Sequence, residues 1–299
     1  MSDAKVAVIT GASRGIGRAI AIDLSRHGFD VVPTGRSLSE SVERWPGTLE
    51  ETAEKVRSYG QRALPIKMDL TNQDEIRDGI AKVLSEFGRI DVLVTSATYI
   101  DFEPDGTFLA EFIATRWDSI QNHIDINVTS TLLLARLVLP GMVERGSGIV
   151  MNITQASSGL GKDGPPLPGR GTCGMAIPVT RGVTDRIAPA LKRELGPHGV
   201  TVLTLDPGMT MSIAEERFAD TMRAGYRPDE AHSVMVAARA ASYIATSANP
   251  LRFNGEKVFA ADLVRECGLL TEAEIMPPPG SGYQEVELDS IAAFRGFSN

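Results

Sequence analysis

The chain has 299 residues, 42% hydrophobic and 23% charged, with a formal net charge of −8. This suffices for one large α/β domain, and the acidic balance argues against nucleic acid or an anionic membrane surface as partner. Two cysteines, Cys173 and Cys267, make neither a disulfide framework nor a metal cluster, so no metal is expected; with no leader pattern in MSDAKVAVIT, the expected setting is a reducing cytoplasm.

The chain is organised around residues 5–17, KVAVITGASRGIG. A short apolar strand (Val6, Val8, Ile9) breaks at Gly11, and a helix opens near Gly15 and runs to a stop at Gly28. Strand, glycine turn and helix start aim backbone N–H groups and the positive helix end at a phosphate. Gly11, Gly15 and Gly17 leave no Cβ where a pyrophosphate approaches the backbone. A second strand spans 30–33 and ends in Thr34-Gly35-Arg36-Ser37. An insertion at 38–47 is expected to wrap outside the fold. The pattern then predicts a helix over 48–60, a strand over 63–68 ending at Asp69-Leu70, and a helix over 72–87 stopped by Gly88. Residues 90–94 are an unbroken apolar run, as in a parallel strand buried on both faces.

Helical signal resumes over 107–142, read as two helices with the second starting near Asn122. Its most apolar part, 131–142, is interrupted by Arg136 and Pro140 and reads as too short to cross a bilayer. A fifth strand covers 148–153, and a Gly/Pro-rich loop 157–174. A helix over 178–195 contains Pro189, expected to kink or break it. The sixth strand, 200–205, ends in Asp206-Pro207-Gly208; helices over 212–224 and 228–247 and a strand at Val258-Phe259 follow. This alternation predicts a single-domain, doubly wound parallel sheet with helices on both faces. That domain is expected over 1–270, including substrate-loop helices within 208–247, with 271–299 as a tail or partner-contacting arm.

The loop TGASRGIG, spaced G-x-x-x-G-x-G, resembles the cofactor loop of the short-chain dehydrogenase/reductase family, and the likeness covers roughly 5–270. The resemblance implies a Rossmann-like domain holding a nicotinamide dinucleotide through Gly11, Ser13, Arg14, Gly15, Ile16 and Gly17. It implies Asp69 and Leu70 beside the adenine, although a carboxylate at a strand end also serves as a turn or cap. Ala97 survives from the family's Asn-Asn-Ala-Gly, here Thr95-Ser96-Ala97-Thr98. Pro207-Gly208 would bound the nicotinamide pocket, with Thr210 or Ser212 facing the carboxamide. Arg36 and Ser37 stand where NAD-specific members carry an acidic residue, and Arg14 can approach from the other side. Guanidinium forks match a 2′-phosphate, so NADP(H) is the expected cofactor; two solvated arginines would read the same in sequence.

Family reductases use an Asn-Ser-Tyr-Lys set. The asparagine falls on Asn127, which would equally satisfy backbone in a bent helix. The serine frame falls on Gln155, with Thr154, Ser157 and Ser158 close by, and the Tyr-x-x-x-Lys frame on Ile177 and Arg181. Tyr59, Tyr99, Tyr226, Tyr243 and Tyr283 all lie elsewhere. Ile177 has no proton to give. Arg181 stays protonated; its expected use is to hold the nicotinamide ribose or stabilise an oxyanion. A positioned acid is worth about 10²–10⁴-fold in rate. Three readings follow: hydride transfer to an imine or conjugated C=C, which needs no such acid; carbonyl reduction with a relocated donor, Tyr99 or less readily His123; or a catalytically inactive NADP binder acting as partner subunit or cofactor sensor. The expected partners are a small apolar substrate and a second copy of the chain, as homo-dimer or homo-tetramer, with the apolar run 132–138 available for contact.

Overall fold

The computed structural model describes residues 4–41, 46–101, 103, 105–107, 110–154, 175–208, 210 and 231–276. Within them β1 (Val6–Thr10), β2 (Asp30–Gly35), β3 (Ile66–Lys67), β4 (Val92–Thr95), β5 (Gly148–Ile153), β6 (Val200–Asp206) and β7 (Lys257–Phe259) form one sheet in the order β3-β2-β1-β4-β5-β6-β7. Every neighbouring pair is parallel. The order runs one way from β1 to β3 and the other from β4 to β7, so the sheet switches direction between β1 and β4, where carboxyl ends of strands open a crevice. β1, β4, β5 and β6 are buried along their whole length, which explains their unbroken apolar runs.

Helices α1 (Gly15–Arg26), α2 (Leu49–Ser58), α3 (Gln73–Phe87), α4 (Trp117–Ile124), α5 (Ser130–Arg145), α6 (Ala176–Leu195), α7 (Val234–Thr246), α8 (Ala260–Glu266) and α9 (Glu272–Ile275) cover the two faces. One core packs α1, α7 and α8 on the sheet through residues such as Ile20, Leu24 and Ile244. The other packs α3, α5 and α6 through Ile80, Leu134 and Ala188. Fully burying a side chain of this size contributes roughly 1.5–3 kcal/mol. Local signals set the ends: Thr48 and Glu51 form a capping box, Asn72 caps α3, and Gly88 closes it in the left-handed region.

Several sequence expectations change. The third strand shrinks to two ladder residues, because Pro65 has no N–H to donate; Ala63 keeps an isolated bridge to Val31. Among the described residues Thr107, Ala110 and Glu111 are not helical, and no break falls at Asn122. Instead α4 passes through a π-turn, Asp125–Thr129, straight into α5. This 29-residue run is long and apolar enough by composition to cross a membrane, contrary to the length argument from sequence. Leu134, Val138 and Met142 nevertheless pack inward, as in a core helix. Pro189 sits inside a continuous α6, where Ile187 and Ala188 are buried just before it.

Of the 38–47 insertion, residues 42–45 lie outside the described residues, and its end and the start of α2 are held against the glycine turn and the end of β2. Gly47 (φ 107°) packs against the Ser13 carbonyl. Leu49 N–H donates to Ser37 O at 2.9 Å, and Thr52 Oγ1 donates to Ala12 O at 2.8 Å. The body also continues past residue 270: Ile275 in α9 is buried, and its carbonyl accepts from Ser233 N–H at 2.8 Å. The expected 157–174 loop, the 212–224 helix and the tail beyond 276 lie outside the described residues.

Candidate active site

A cavity of about 730 Å³ opens at the carboxyl ends of β1, β2 and β4. Its floor is the glycine turn. A Cβ on Gly11 would stand 2.8 Å from Ala97 Cα, and one on Gly17 would stand 2.5 Å from the Gly11 carbonyl oxygen. Neither position accepts a side chain. Ser96 and Ala97 donate their N–H groups to Thr10 Oγ1 at 3.0 and 3.1 Å, fastening the loop after β4 to β1. The N-cap of α1, Arg14, makes no side-chain cap, so the helix's first N–H groups carry no cap from it. Ser13, Gly15, Ile16 and Gly17 line the same wall.

Arg14, Arg36 and Ser37 stand together at one end of the cavity. Arg14 Nη2 donates to Ser37 Oγ at 3.0 Å. Burial, and then the charge of Arg36, hold Arg14 below the ordinary arginine pKa. Its Nε is buried without a hydrogen-bond partner. Two guanidinium groups pressed together with an unsatisfied N–H make a site for an anion. With the glycine floor, these residues fit a dinucleotide.

Asp69 faces the cavity and also serves the turn role considered from sequence. It lines the cavity beside Leu70, while its Oδ1 accepts from Thr71 N–H (2.9 Å) and Thr71 Oγ1 (2.8 Å) in a turn. Thr210 lines the cavity and donates to Pro207 O at 3.2 Å. Gly208 N–H donates to Asp206 Oδ1 at 3.0 Å, holding the turn after β6. Gln155 and Ser212 lie outside the described residues.

Tyr99 also lines the cavity. Its O–H reaches Asp101 Oδ2 at 3.4 Å, and its ring meets His123 edge-on with centroids 5.1 Å apart. Burial pushes the Asp101 carboxyl up, but hydrogen bonds from Ser119 and Glu103 N–H and the Arg116 charge outweigh it and leave the pKa lowered. A phenol donating to a carboxylate has its proton engaged there rather than held towards the cavity. His123 is fully buried; burial and the Arg181 charge, against Asp101, bring its pKa down to about 4. It is neutral at ordinary pH and does not line the cavity, which corrects its reading as a donor.

Ile177 and Arg181 occupy the first two turns of α6, 3% and 5% exposed. Arg181 Nη1 donates to Ile153 O at 2.7 Å and Nη2 to Ala97 O at 3.3 Å. It therefore staples the end of β5 to the loop after β4 instead of reaching into the cavity as expected. Burial, opposed by Asp185, lowers its pKa to about 10, so the group stays charged at neutral pH. Asn127 lies in the π-turn, fully buried, with Nδ2 donating to Thr180 Oγ1 at 3.0 Å. The structure thus gathers Gly11, Arg14, Arg36, Asp69, Ala97, Tyr99 and Thr210 around one cavity and sets Asn127, Ile177 and Arg181 behind it. Sequence reasoning missed Ile100 and Ile126 as cavity walls and missed the link between His123 and Asn127, whose spacing of four on one helical run was the available signal.

A family model described as short chain dehydrogenase matches residues 5–223. The chain belongs to the short-chain dehydrogenase family. It is 32% identical over 206 residues to an uncharacterized oxidoreductase of Staphylococcus saprophyticus, covering 69% of this chain and 78% of that protein. A short-chain type dehydrogenase/reductase from Mycobacterium marinum shares the fold with a TM-score of 0.72 at 24% identity, covering 85% of this chain and 93% of the other. A metagenomic short-chain oxidoreductase solved in complex with NADP shares it with a TM-score of 0.66 at 24% identity, covering 85% and 95%.

Proposed function

We propose that the protein is an NADP(H)-dependent oxidoreductase with a non-standard active site, acting on a small apolar substrate. The observation that carries this is the pair Arg14 and Arg36 with the unpartnered Arg14 Nε beside Ser37. Arg14, Arg36 and Ser37 would hold the 2′-phosphate, the N–H groups at the start of α1 the pyrophosphate, and Asp69 and Leu70 the adenine. The NADP bound by the metagenomic relative of like fold agrees with this reading. When bound, the cofactor supplies a hydride at nicotinamide C4. What the chain adds is orientation and exclusion of water: Ile100, Ile126 and Tyr99 wall the cavity.

The proton decides the substrate class. Ile177 has none to give, Arg181 is committed to two carbonyls, and the Tyr99 phenol is engaged by Asp101. Carbonyl reduction is therefore disfavoured against hydride addition to an imine or conjugated C=C, which needs no strong acid in the pocket. The same closure of Ile177 and Arg181 favours a second reading, a catalytically inactive NADP-binding partner subunit or sensor. A reducing cytoplasm suits either.

The test is fluorescence titration with NADPH and NADH, followed by NADPH oxidation across a ketone, an enone and a cyclic imine. The expected result is preference for NADPH and faster turnover of imine or enone than of ketone. Failure to bind NADPH overturns the proposal; binding without turnover on the panel selects the inactive reading. We also propose a homo-dimer or homo-tetramer through α5 and α6, where Leu132, Val179 and Val183 stand 48%, 54% and 42% exposed. Val179→Glu with Val183→Glu should release monomer in light scattering, and an unchanged mass would remove these helices from the interface.

A further inference from the structure

The cavity has two chemically different sides. The strand order β2-β1-β4 puts the residues after β2 and those after β4 on opposite flanks of the glycine turn. On the β2 side two guanidinium groups, Arg14 and Arg36, meet two carboxylates, Glu40 and Asp69. On the β4 side the wall is apolar and aromatic, with Tyr99 and Ile100 joined by Ile126. The chain that continues from this wall is acidic. Between 101 and 118 the carboxylates Asp101, Glu103, Asp105, Glu111 and Asp118 accompany one guanidinium, Arg116.

That guanidinium is already engaged. Arg116 pairs with Asp101 at 3.0 Å, Asp105 at 2.7 Å and Asp118 at 3.0 Å, so the segment keeps a negative excess. Behind the wall His123 is neutral at ordinary pH, and the charge of Arg181 is opposed by Asp185 one turn further along α6. Neither offsets that excess. Tyr99 is the group that carries it to a ligand. Its O–H donates to Asp101 Oδ2 at 3.4 Å, and its ring, half-buried in the wall, stands at 84° to that of His123. A phenol whose proton leans on a carboxylate is polarised, which enriches the ring in electron density. Such a ring attracts a cation, with a gain of about tenfold in affinity where part of the cation's water is removed. A neutral ligand of the same shape gains only the burial of its apolar surface.

We propose that the β4 side of the cavity is a cation subsite and that the substrate it takes is an iminium, seated on the Tyr99 ring within the field of the 101–118 carboxylates. The iminium half rests on the oxidoreductase reading; the cation half does not. As the iminium carbon takes the hydride supplied by NADPH, the nitrogen keeps the electron pair of the C=N double bond, giving a neutral amine and NADP+. No proton moves, in keeping with Ile177, which has none to give. Positive charge fades on the way to the transition state, so the attraction lowers KM and does not raise kcat.

The test pairs two probes of one shape, phenyltrimethylammonium and tert-butylbenzene, titrated by NMR into the full chain with and without NADPH. The wild type should bind the cation about tenfold more tightly. Tyr99→Leu should abolish that preference, Tyr99→Phe should keep it, and raising salt to about 0.5 M should reduce it about threefold. Equal affinity for the two probes, a preference untouched in Tyr99→Leu, or one indifferent to salt overturns the proposal. For turnover, N-methyl-dihydroisoquinolinium is compared with a neutral bicyclic enone. In Tyr99→Leu the KM for the iminium should rise about tenfold at unchanged kcat, while that for the enone should move by less than about twofold. A fall in kcat at constant KM would make Tyr99 part of the chemistry and overturn its reading as a binding wall. Faster turnover of the enone than of the iminium by the wild type overturns the iminium half. Failure to bind NADPH removes the proposed function, whereas the probe pair still judges the cation subsite.

Discussion

Two arginines beside the same crevice have opposite surroundings. Arg14, at the glycine turn, is half-buried, shares its end of the cavity with a second guanidinium and keeps an N–H without a partner. Arg181, across the crevice, is buried and has given its guanidinium to Ile153 O and Ala97 O. The same contrast runs through the neighbouring residues. Around β1 and β2, groups face the cavity; around β5 and α6, Asn127, Thr180 and His123 spend their hydrogen bonds on one another. The first side is left incomplete by the protein and waits for an anion. The second keeps its donors, Arg181 and the Asn127 amide among them, on contacts within the protein.

The sharpest way to break this contrast is Gly17→Ala. The added methyl would press on the Gly11 carbonyl, backbone that cannot step aside, at an expected cost of about 3 kcal/mol or more and loss of measurable NADPH binding. Isothermal titration and thermal melting check it.

Next is a pH effect. His123 titrates at about 4 in the fold against an ordinary 6.5, so the unfolded chain takes up the proton first. The stability this gives is fully present above about 6.5 and is lost as pH falls towards 4, a change of about 3 kcal/mol. His27, also lowered by burial, contributes in the same direction. The relevant measurement is therefore urea unfolding of wild type against His123→Gln, whose curve should be flatter across that window.

Restoring a phenol tests the closed side. Ile177→Tyr with Arg181→Lys should raise ketone reduction by about 10²-fold, the low end of what a positioned acid supplies, and more than Ile177→Tyr alone. No gain from the double variant would mean that more than the acid is missing. The smallest effect is expected at the open side: Arg14→Ala should weaken NADPH by about tenfold, the worth of one charge-assisted contact, and leave NADH nearly unchanged. A parallel loss of both would argue against a 2′-phosphate there.

The sheet was legible in the sequence because buried parallel strands leave continuous apolar runs, as in β4 and β5, and because Gly88 and Asn72 mark helix ends through backbone chemistry. The glycine floor was legible for the same reason: a missing Cβ is written in the sequence. The helical character of Trp117 to Arg145 was legible but its continuity through Asn122 was not, since a π-turn uses the same residue types as the α-helix around it. Arg181 was misread as cavity-facing because sequence fixes which face of a helix a residue occupies but not which carbonyls lie within its reach. Thr107, the hydrogen-bonded partner of His123 from the loop after β4, lies sixteen residues away, and only folding brings the two together.

The π-turn at Asp125–Thr129 carries one residue more than a regular turn needs. Deleting one residue there would heal the helix into a more regular rod, yet it would rotate everything upstream by about 100° about the axis. His123 would swing away from Asn127, and Ser119 away from Asp101. The irregularity works as a phase shift between two helical segments, so in this stretch length is held as tightly as composition.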